Sequence, residues 1–308
     1  MRTWLTERFD LRVPVVSAPM AGVSGGALAA AVCDAGGLGM VGWAAGPADG
    51  LRAECALAAR SGRPFGVGLQ AWQLPGRDDL VDAVLESGAA LLSISYGDYA
   101  PYVERVRGAG MVVATQVGTM DDVRAAIDAG VDVLVARGGE GGGHGRDAVA
   151  TLPLLQAVLD EVDLPVLAAG GVATARGVAA VLAAGAAGAW VGTAFATCPE
   201  SLYAETSRQA IVGAGLDQTI YTTVLDVGRG SDWPSEFGGR ALVNDYARTW
   251  HGREEELRAN PVRSEETAVW AGQGAGLVRA ERRAAEVVAD LAGAERLLAE
   301  VCSRATGG

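Results

Sequence analysis

Short apolar, β-branched runs recur along the first two thirds of the chain, each followed by an alanine-rich stretch with apolar residues at helical spacing. The runs predict strands over Val13–Ala18, Leu38–Gly42, Phe65–Leu69, Ala90–Ser95, Met111–Thr115, Val131–Ala136, Pro165–Ala169 and Gly188–Gly192. Between them, helices are predicted over Ala27–Asp34, Ala48–Arg60, Arg77–Ser87, Tyr99–Gly108, Met120–Ala129, Leu152–Glu161 and Ala175–Ala184. Thr119 and Thr174 read as helix N-caps, and Gly130 and Gly185 as helix stops.

Strands that are apolar throughout, without alternation, are buried on both faces, as in a parallel sheet covered by helices. Eight such units close naturally into a (β/α)8 TIM barrel, with an open doubly wound sheet as the alternative. The rhythm stops after Phe195. Cys198–Gly213 reads as helical, whereas Leu216–Gly276 is richer in Trp, Asp, Glu and Arg and carries no βα repeat. That segment is too long for an ordinary connection. It predicts a small second domain or lid over 214–276, inserted after the last strand of a barrel spanning 1–213. Leu277–Arg304 reads as one long helix whose apolar stripe returns to the barrel as its eighth outer helix, within a unit over 277–308.

Composition narrows the chemistry. The formal charge of −12 disfavours a nucleic-acid partner. The charged N-terminus lacks the apolar block of a signal peptide, and no run of 18 uncharged apolar residues suggests a membrane span. A soluble, cytoplasmic protein is expected. Cys33, Cys55, Cys198 and Cys302 are scattered, form no metal-type pair and read as small buried residues in a reducing compartment. Lysine is absent; every basic side chain is arginine. Schiff-base aldolase chemistry, covalent pyridoxal phosphate and a Walker-type phosphate loop all need a lysine and are excluded. Any phosphate must be held by backbone N–H groups, hydroxyls or arginine.

Two features at the carboxyl ends of the predicted strands could carry chemistry. Gly170 and Gly171 end the seventh strand, and Gly192 and Thr193 end the eighth, where barrel enzymes often bind phosphate. Ordinary helix-capping glycine is the plainer reading. After the sixth strand, Val135–Arg146 places His144 among six glycines, and only one other histidine, His251, exists. Glycine lets backbone approach a ligand closely, and imidazole titrates near neutrality. A flexible linker with an incidental surface histidine is the alternative.

The ordered set Ala18-Pro19-Met20-Ala21, Ala35-Gly-Gly-Leu-Gly39, Gly-Gly-Gly-His144, Ala169-Gly-Gly171 and Val191-Gly-Thr193 resembles the nitronate monooxygenase family, formerly 2-nitropropane dioxygenases. These are FMN-dependent barrel enzymes related to flavin enoyl-acyl-carrier-protein reductases and, more distantly, to IMP dehydrogenase. The resemblance covers roughly residues 10–200 and the terminal helix. It implies FMN, with Ala18, Pro19 and Met20 against the flavin ring and Gln116 reaching toward flavin or substrate. Gly142 would approach the cofactor, and Gly171, Gly192 and Thr193 would hold its phosphate beside Gly170. His144 matches the family's active-site histidine, positioned for substrate and able to act as base toward neutral nitroalkanes. The implied reaction is oxidation of an alkyl nitronate, with molecular oxygen, to a carbonyl compound with release of nitrite. An NAD(P)H-dependent flavin enoyl-thioester reductase and a non-catalytic flavin- or phosphate-binding protein are the alternatives, and a homodimer is left open.

Three positions depart from the family pattern: Arg137 where a glutamine commonly opens the histidine loop, Gly68 where an asparagine often ends the third strand, and Gly145-Arg146 after the histidine. Arg137 reads either as a structural ion pair or as a fixed positive charge near the flavin N1–C2 edge. Trp43, Trp72 and Tyr96, just beyond strand ends, read as pocket wall or as caps on the barrel core.

Overall fold

A computed structural model describes residues 1–44, 46–266 and 268–305. Its main sheet contains β1 (Val15–Ser17), β2 (Met40–Gly42), β3 (Gly66–Gln70), β4 (Leu91–Ser95), β5 (Val112–Val117), β6 (Val133–Arg137), β8 (Val166–Ala169) and β9 (Gly188–Val191). All pairings are parallel, in the order β1-β9-β8-β6-β5-β4-β3-β2. Leu38 closes the remaining seam, donating to the Val15 carbonyl at 2.9 Å and accepting from the Ser17 N–H at 3.0 Å. The expected (β/α)8 barrel is therefore the fold.

The seven predicted helices form close to their expected bounds. Thr119 caps its helix reciprocally, its hydroxyl accepting from the Asp122 N–H while the Asp122 carboxylate accepts from the Thr119 N–H. Alternate strand residues, among them Met40, Leu91, Val135, Leu167 and Trp190, fill the barrel interior. Its amino-terminal mouth is closed by the helix Trp4–Phe9, which inserts Leu5 and Phe9 into that cluster. Six residues are too few to show a periodic stripe, so pattern reading passes over this helix. A Cβ on Gly188 would stand 2.5 Å from Leu5 Cδ2, so a glycine in β9 makes room for the plug.

The end of the chain differs from expectation. The single helix expected over Leu277–Arg304 is instead a 3-10 turn at Gln273–Leu277 followed by helices Ala284–Ala292 and Ala294–Ala305. The break falls at Gly293, a poor helix former, whose N–H turns to the Asp290 carbonyl. In the outer ring Ala284–Ala292 packs against Gly26–Ala35 and Ala175–Ala183, and Ala294–Ala305 packs against Ala175–Ala183. Thr306, Gly307 and Gly308 of the expected terminal unit lie outside the described residues. Cys198–Gly213 is helical only over Glu205–Val212, because Pro199 offers no N–H to extend the short helix Thr193–Ala196. Three cysteines are buried as expected, but Cys302 is exposed.

The segment after the barrel contains unpredicted strands. β10 (Thr219–Thr222) and β11 (Gly239–Leu242) pair antiparallel, and β11 pairs in turn with β7 (Gly143–His144) of the barrel's own glycine loop. The segment carries a small apolar cluster that includes Val224, Leu225, Ala241 and Leu257. No described helix is long and apolar enough to cross a membrane.

Leu5→Ala should destabilise the protein by about 2–5 kcal/mol in urea unfolding, the usual cost of emptying a buried leucine site. Trp4→Ala, at a half-buried position of the same helix, should cost clearly less.

Candidate active site

The site is built around the glycine loop that joins β6 to the next helix. Polyglycine offers no side chains with which to anchor itself, so its position has to come from backbone hydrogen bonds. Arg137, buried at the end of β6, supplies four of them. Its Nη2 donates to the carbonyls of Gly141 at 2.6 Å, Gly143 at 2.9 Å and Gly142 at 3.3 Å, and Nη1 donates to Arg146 O at 2.8 Å. Arg137 forms no ion pair among the described residues; it is a clamp on carbonyls. A Cβ on Gly145 would come 2.6 Å from Arg137 Nη1, and one on Gly141 would come 2.8 Å from its Nε. Those two glycines give clearance to an arginine.

A second arginine holds the loop from outside. Arg240 on β11 donates from Nε to Gly139 O at 2.6 Å and pairs with Asp147 at 2.8 Å. Glu140 tethers the loop to the helix Thr151–Glu161, accepting from the Thr151 N–H and hydroxyl at 2.9 and 2.7 Å. The Tyr96 and Tyr221 hydroxyls donate to the His144 and Gly145 carbonyls at 3.1 and 2.9 Å. This loop is tied at nearly every residue, unlike a flexible linker.

His144 is thereby fixed over the carboxyl ends of the strands. Its Nε2 lies 3.0 Å from both carboxylate oxygens of Asp226, in the helix Val224–Arg229. Its ring stacks on Trp233, with centroids 3.6 Å apart and planes 2° from parallel, and meets Trp270 at 4.6 Å. Trp233 also packs against Trp72 and Tyr96. Burial lowers the imidazole pKa from its ordinary value; the hydrogen bond and charge of Asp226 work against that shift, while Arg229 and Arg137 add to it. Burial likewise pushes the Tyr96 phenol upward.

The other residues singled out in the sequence gather around this centre. Ala18 and Met20 face Gly192, where a Cβ would lie 3.7 Å from Ala18 Cβ and 3.5 Å from Met20 Sδ. Pro19 packs onto Gly68, where a Cβ would stand 2.4 Å from its ring, so an asparagine there would collide with this proline. Gly142 lies against Ala271 and Gly272, and the Gly272 N–H donates to Thr193 Oγ1 at 3.0 Å. Gly170 and Gly171 both have positive φ, 109° and 69°. The N–H groups of Gly171, Val172 and Gly192 make no hydrogen bond to any described residue. Unpaired N–H groups in the turns after the last two barrel strands fit an anionic group such as a phosphate. Gln116 lines a cavity of about 250 Å³ with Tyr96, Arg137, Gly145, Arg146 and Phe237. Trp43 Nε1, Gln70 Oε1 and Trp72 Nε1, near the ends of β2 and β3, are buried without a partner among the described residues. No group of three side chains suited to a metal ion occurs among the described residues.

Asp226, Trp233, Arg240 and Trp270 were not legible in the sequence as site residues. The only signal was the richness of their segment in Trp and Asp.

The family model for nitronate monooxygenase matches residues 2–293. A 5-hydroxy-7a-methyl-1-oxo-octahydro-1H-indene-4-carboxyl-CoA dehydrogenase of Mycobacterium tuberculosis is 36% identical over 73% of this chain, a match that takes in only 64% of that protein's length. The structure of FabK from Thermotoga maritima superposes with a TM-score of 0.87 at 29% identity, covering 100% of this chain and 99% of that one. Nitroalkane oxidase from Streptomyces ansochromogenes gives a TM-score of 0.77 at 33% identity, covering 96% and 99%. These similarities put the chain among proteins built on a (β/α)8 barrel. Within them it belongs to the nitronate monooxygenase family.

Arg137→Met keeps the bulk but removes the donors. It should cost about 1–3 kcal/mol for each carbonyl left buried without a partner, read by thermal or urea unfolding. Because the folded-state pKa of His144 is lowered, the unfolded chain binds its proton more readily. That contribution to stability is complete above about pH 6.5 and is lost as the pH falls below it. His144→Gln should flatten the pH dependence of unfolding between about pH 7 and about pH 5.

Proposed function

We propose that the protein binds FMN and oxidises alkyl nitronates, with molecular oxygen, to carbonyl compounds with release of nitrite. The observation that carries this reading is a buried imidazole, held by Asp226 and Trp233, over the barrel mouth and near an unpaired N–H cradle. The similarity to a nitroalkane oxidase supports the substrate class. Gly171, Val172, Gly192 and Thr193 would hold the FMN phosphate through backbone N–H groups and a hydroxyl, as a chain without lysine requires. Ala18, Pro19 and Met20, packed at the end of β1, would face the ring, with Gln116 and Gly142 at its edge. Bound FMN would supply the electron acceptor. His144 would orient the nitro oxygens or take the carbon-bound proton of a neutral nitroalkane. The surrounding Trp72, Tyr96, Trp233 and Trp270 rings would exclude water from that transfer. Arg137, occupied by four carbonyls, would act on the cofactor only through its charge.

A second reading keeps the flavin and changes the substrate to an acyl thioester, as in an NAD(P)H-dependent enoyl-thioester reductase. The identity to CoA-thioester dehydrogenases, 36% and 34%, favours it.

The purified protein should be yellow and release FMN, not FAD, on denaturation. Anaerobic addition of a nitronate should bleach the flavin, and NADH or NADPH should barely do so. His144→Ala should lower turnover of neutral nitroalkanes about 100-fold or more. Rapid bleaching by NADPH, with enoyl-thioester turnover and no response to nitronates, would replace the first reading by the second.

A further inference from the structure

The Asp226 carboxylate is 5% exposed, and His144 is the side chain to which it is bonded. A carboxylate accepts, so Nε2 carries the hydrogen of the neutral ring and Nδ1 carries the lone pair. Nδ1 makes no hydrogen bond to any described residue, and it is not among the buried polar atoms sealed without a partner. The stacked Trp233 ring opposes rotation that would exchange the two nitrogens. The His144 backbone is pinned as well, by pairing with Gly239 and by the Tyr96 hydroxyl.

We propose that Asp226 is a positioning residue that fixes His144 as the Nε2–H tautomer and makes Nδ1 the atom that takes the substrate's proton. This rests on the reading of His144 as the base for neutral nitroalkanes. In that step the proton on the carbon bearing the nitro group moves to Nδ1. The C–H electron pair stays on the substrate, which becomes the nitronate, and the imidazolium left behind lies against the Asp226 carboxylate. The charged and titratable groups around the ring are Asp226 and Arg229 from one helix, Arg137 from β6, and Tyr96 from the turn after β4. Arg240 on β11 is directed to Gly139 and Asp147. The two nearer arginines oppose a further positive charge, and Asp226 favours it. The segment beyond the barrel thus supplies the residue that positions the base.

With only two histidines in the chain, imidazole 15N NMR of the FMN-loaded protein can assign His144 with His144→Gln as reference. The expected wild-type spectrum has a protonated Nε2 and an unprotonated Nδ1 near neutral pH. Asp226→Asn should mix or reverse the tautomers, since an amide can donate as well as accept. It should cut kcat/KM for a neutral nitroalkane about 100-fold or more, with a smaller loss for the preformed nitronate, which needs no base. Without the carboxylate the imidazolium is less stable, so the acidic limb of the pH profile should move to lower pH. An Nδ1–H tautomer in the wild type, or an Asp226→Asn protein with tautomer and acidic limb both unmoved, would overturn the proposal. Should Asp226→Asn not fold, the wild-type tautomer decides alone. An Nε2–H tautomer with no turnover of any nitroalkane would overturn the proposed reaction while upholding the hold of Asp226 on the ring.

Discussion

The site depends on satisfying the backbone of a half-buried loop that has almost no side chains of its own. Six glycines around His144 leave a row of carbonyls that must find donors away from bulk water. Arg137 meets three of them, and the Arg146 carbonyl, from within the barrel, and Arg240 meets another from the adjoining segment. The exchange is mutual. Arginine is the side chain with a rigid fork of donors, and glycines at 141 and 145 are what let that fork lie so close to the chain. A lysine, with a single ammonium on a flexible stem, would not span the same set.

That constraint makes the segment over residues 216–276 part of the site. It pairs with the loop through β11, clamps it through Arg240, places Asp226 against the imidazole and lays Trp233 over it. Displacing it would release the carboxylate and the stacking ring together, and with them the setting that governs the protonation of His144. The barrel's own contribution is the pair of turns at Gly171 and Gly192, after β8 and β9, whose N–H groups make no hydrogen bond to any described residue.

The barrel strands and their helices were legible because fully buried parallel strands and amphipathic helices leave long, regular patterns. Thr119 and Thr174 could be read as caps because the residues that make a cap are neighbours in sequence. The helix Trp4–Phe9 was too short to give a pattern, and the break at Gly293 was hidden within a continuous apolar stripe. β7 could not be seen at all: two residues, glycine and histidine, become a strand only because β11 arrives beside them. Arg137 stood out in the sequence, yet its partners did not, since its bonds go to carbonyls that every residue type possesses.

By itself, then, the sequence determined the barrel and the place of the glycine loop after the sixth strand. Only the tertiary structure decided that His144 faces Asp226, 82 residues further along the chain, and that Trp233 stacks upon it. The physical reason is one of range. Strand burial and helix capping act between near neighbours and leave a periodic trace. The charge, stacking and carbonyl contacts that define the imidazole's surroundings join residues with no regular spacing and arise only once the chain has closed on itself.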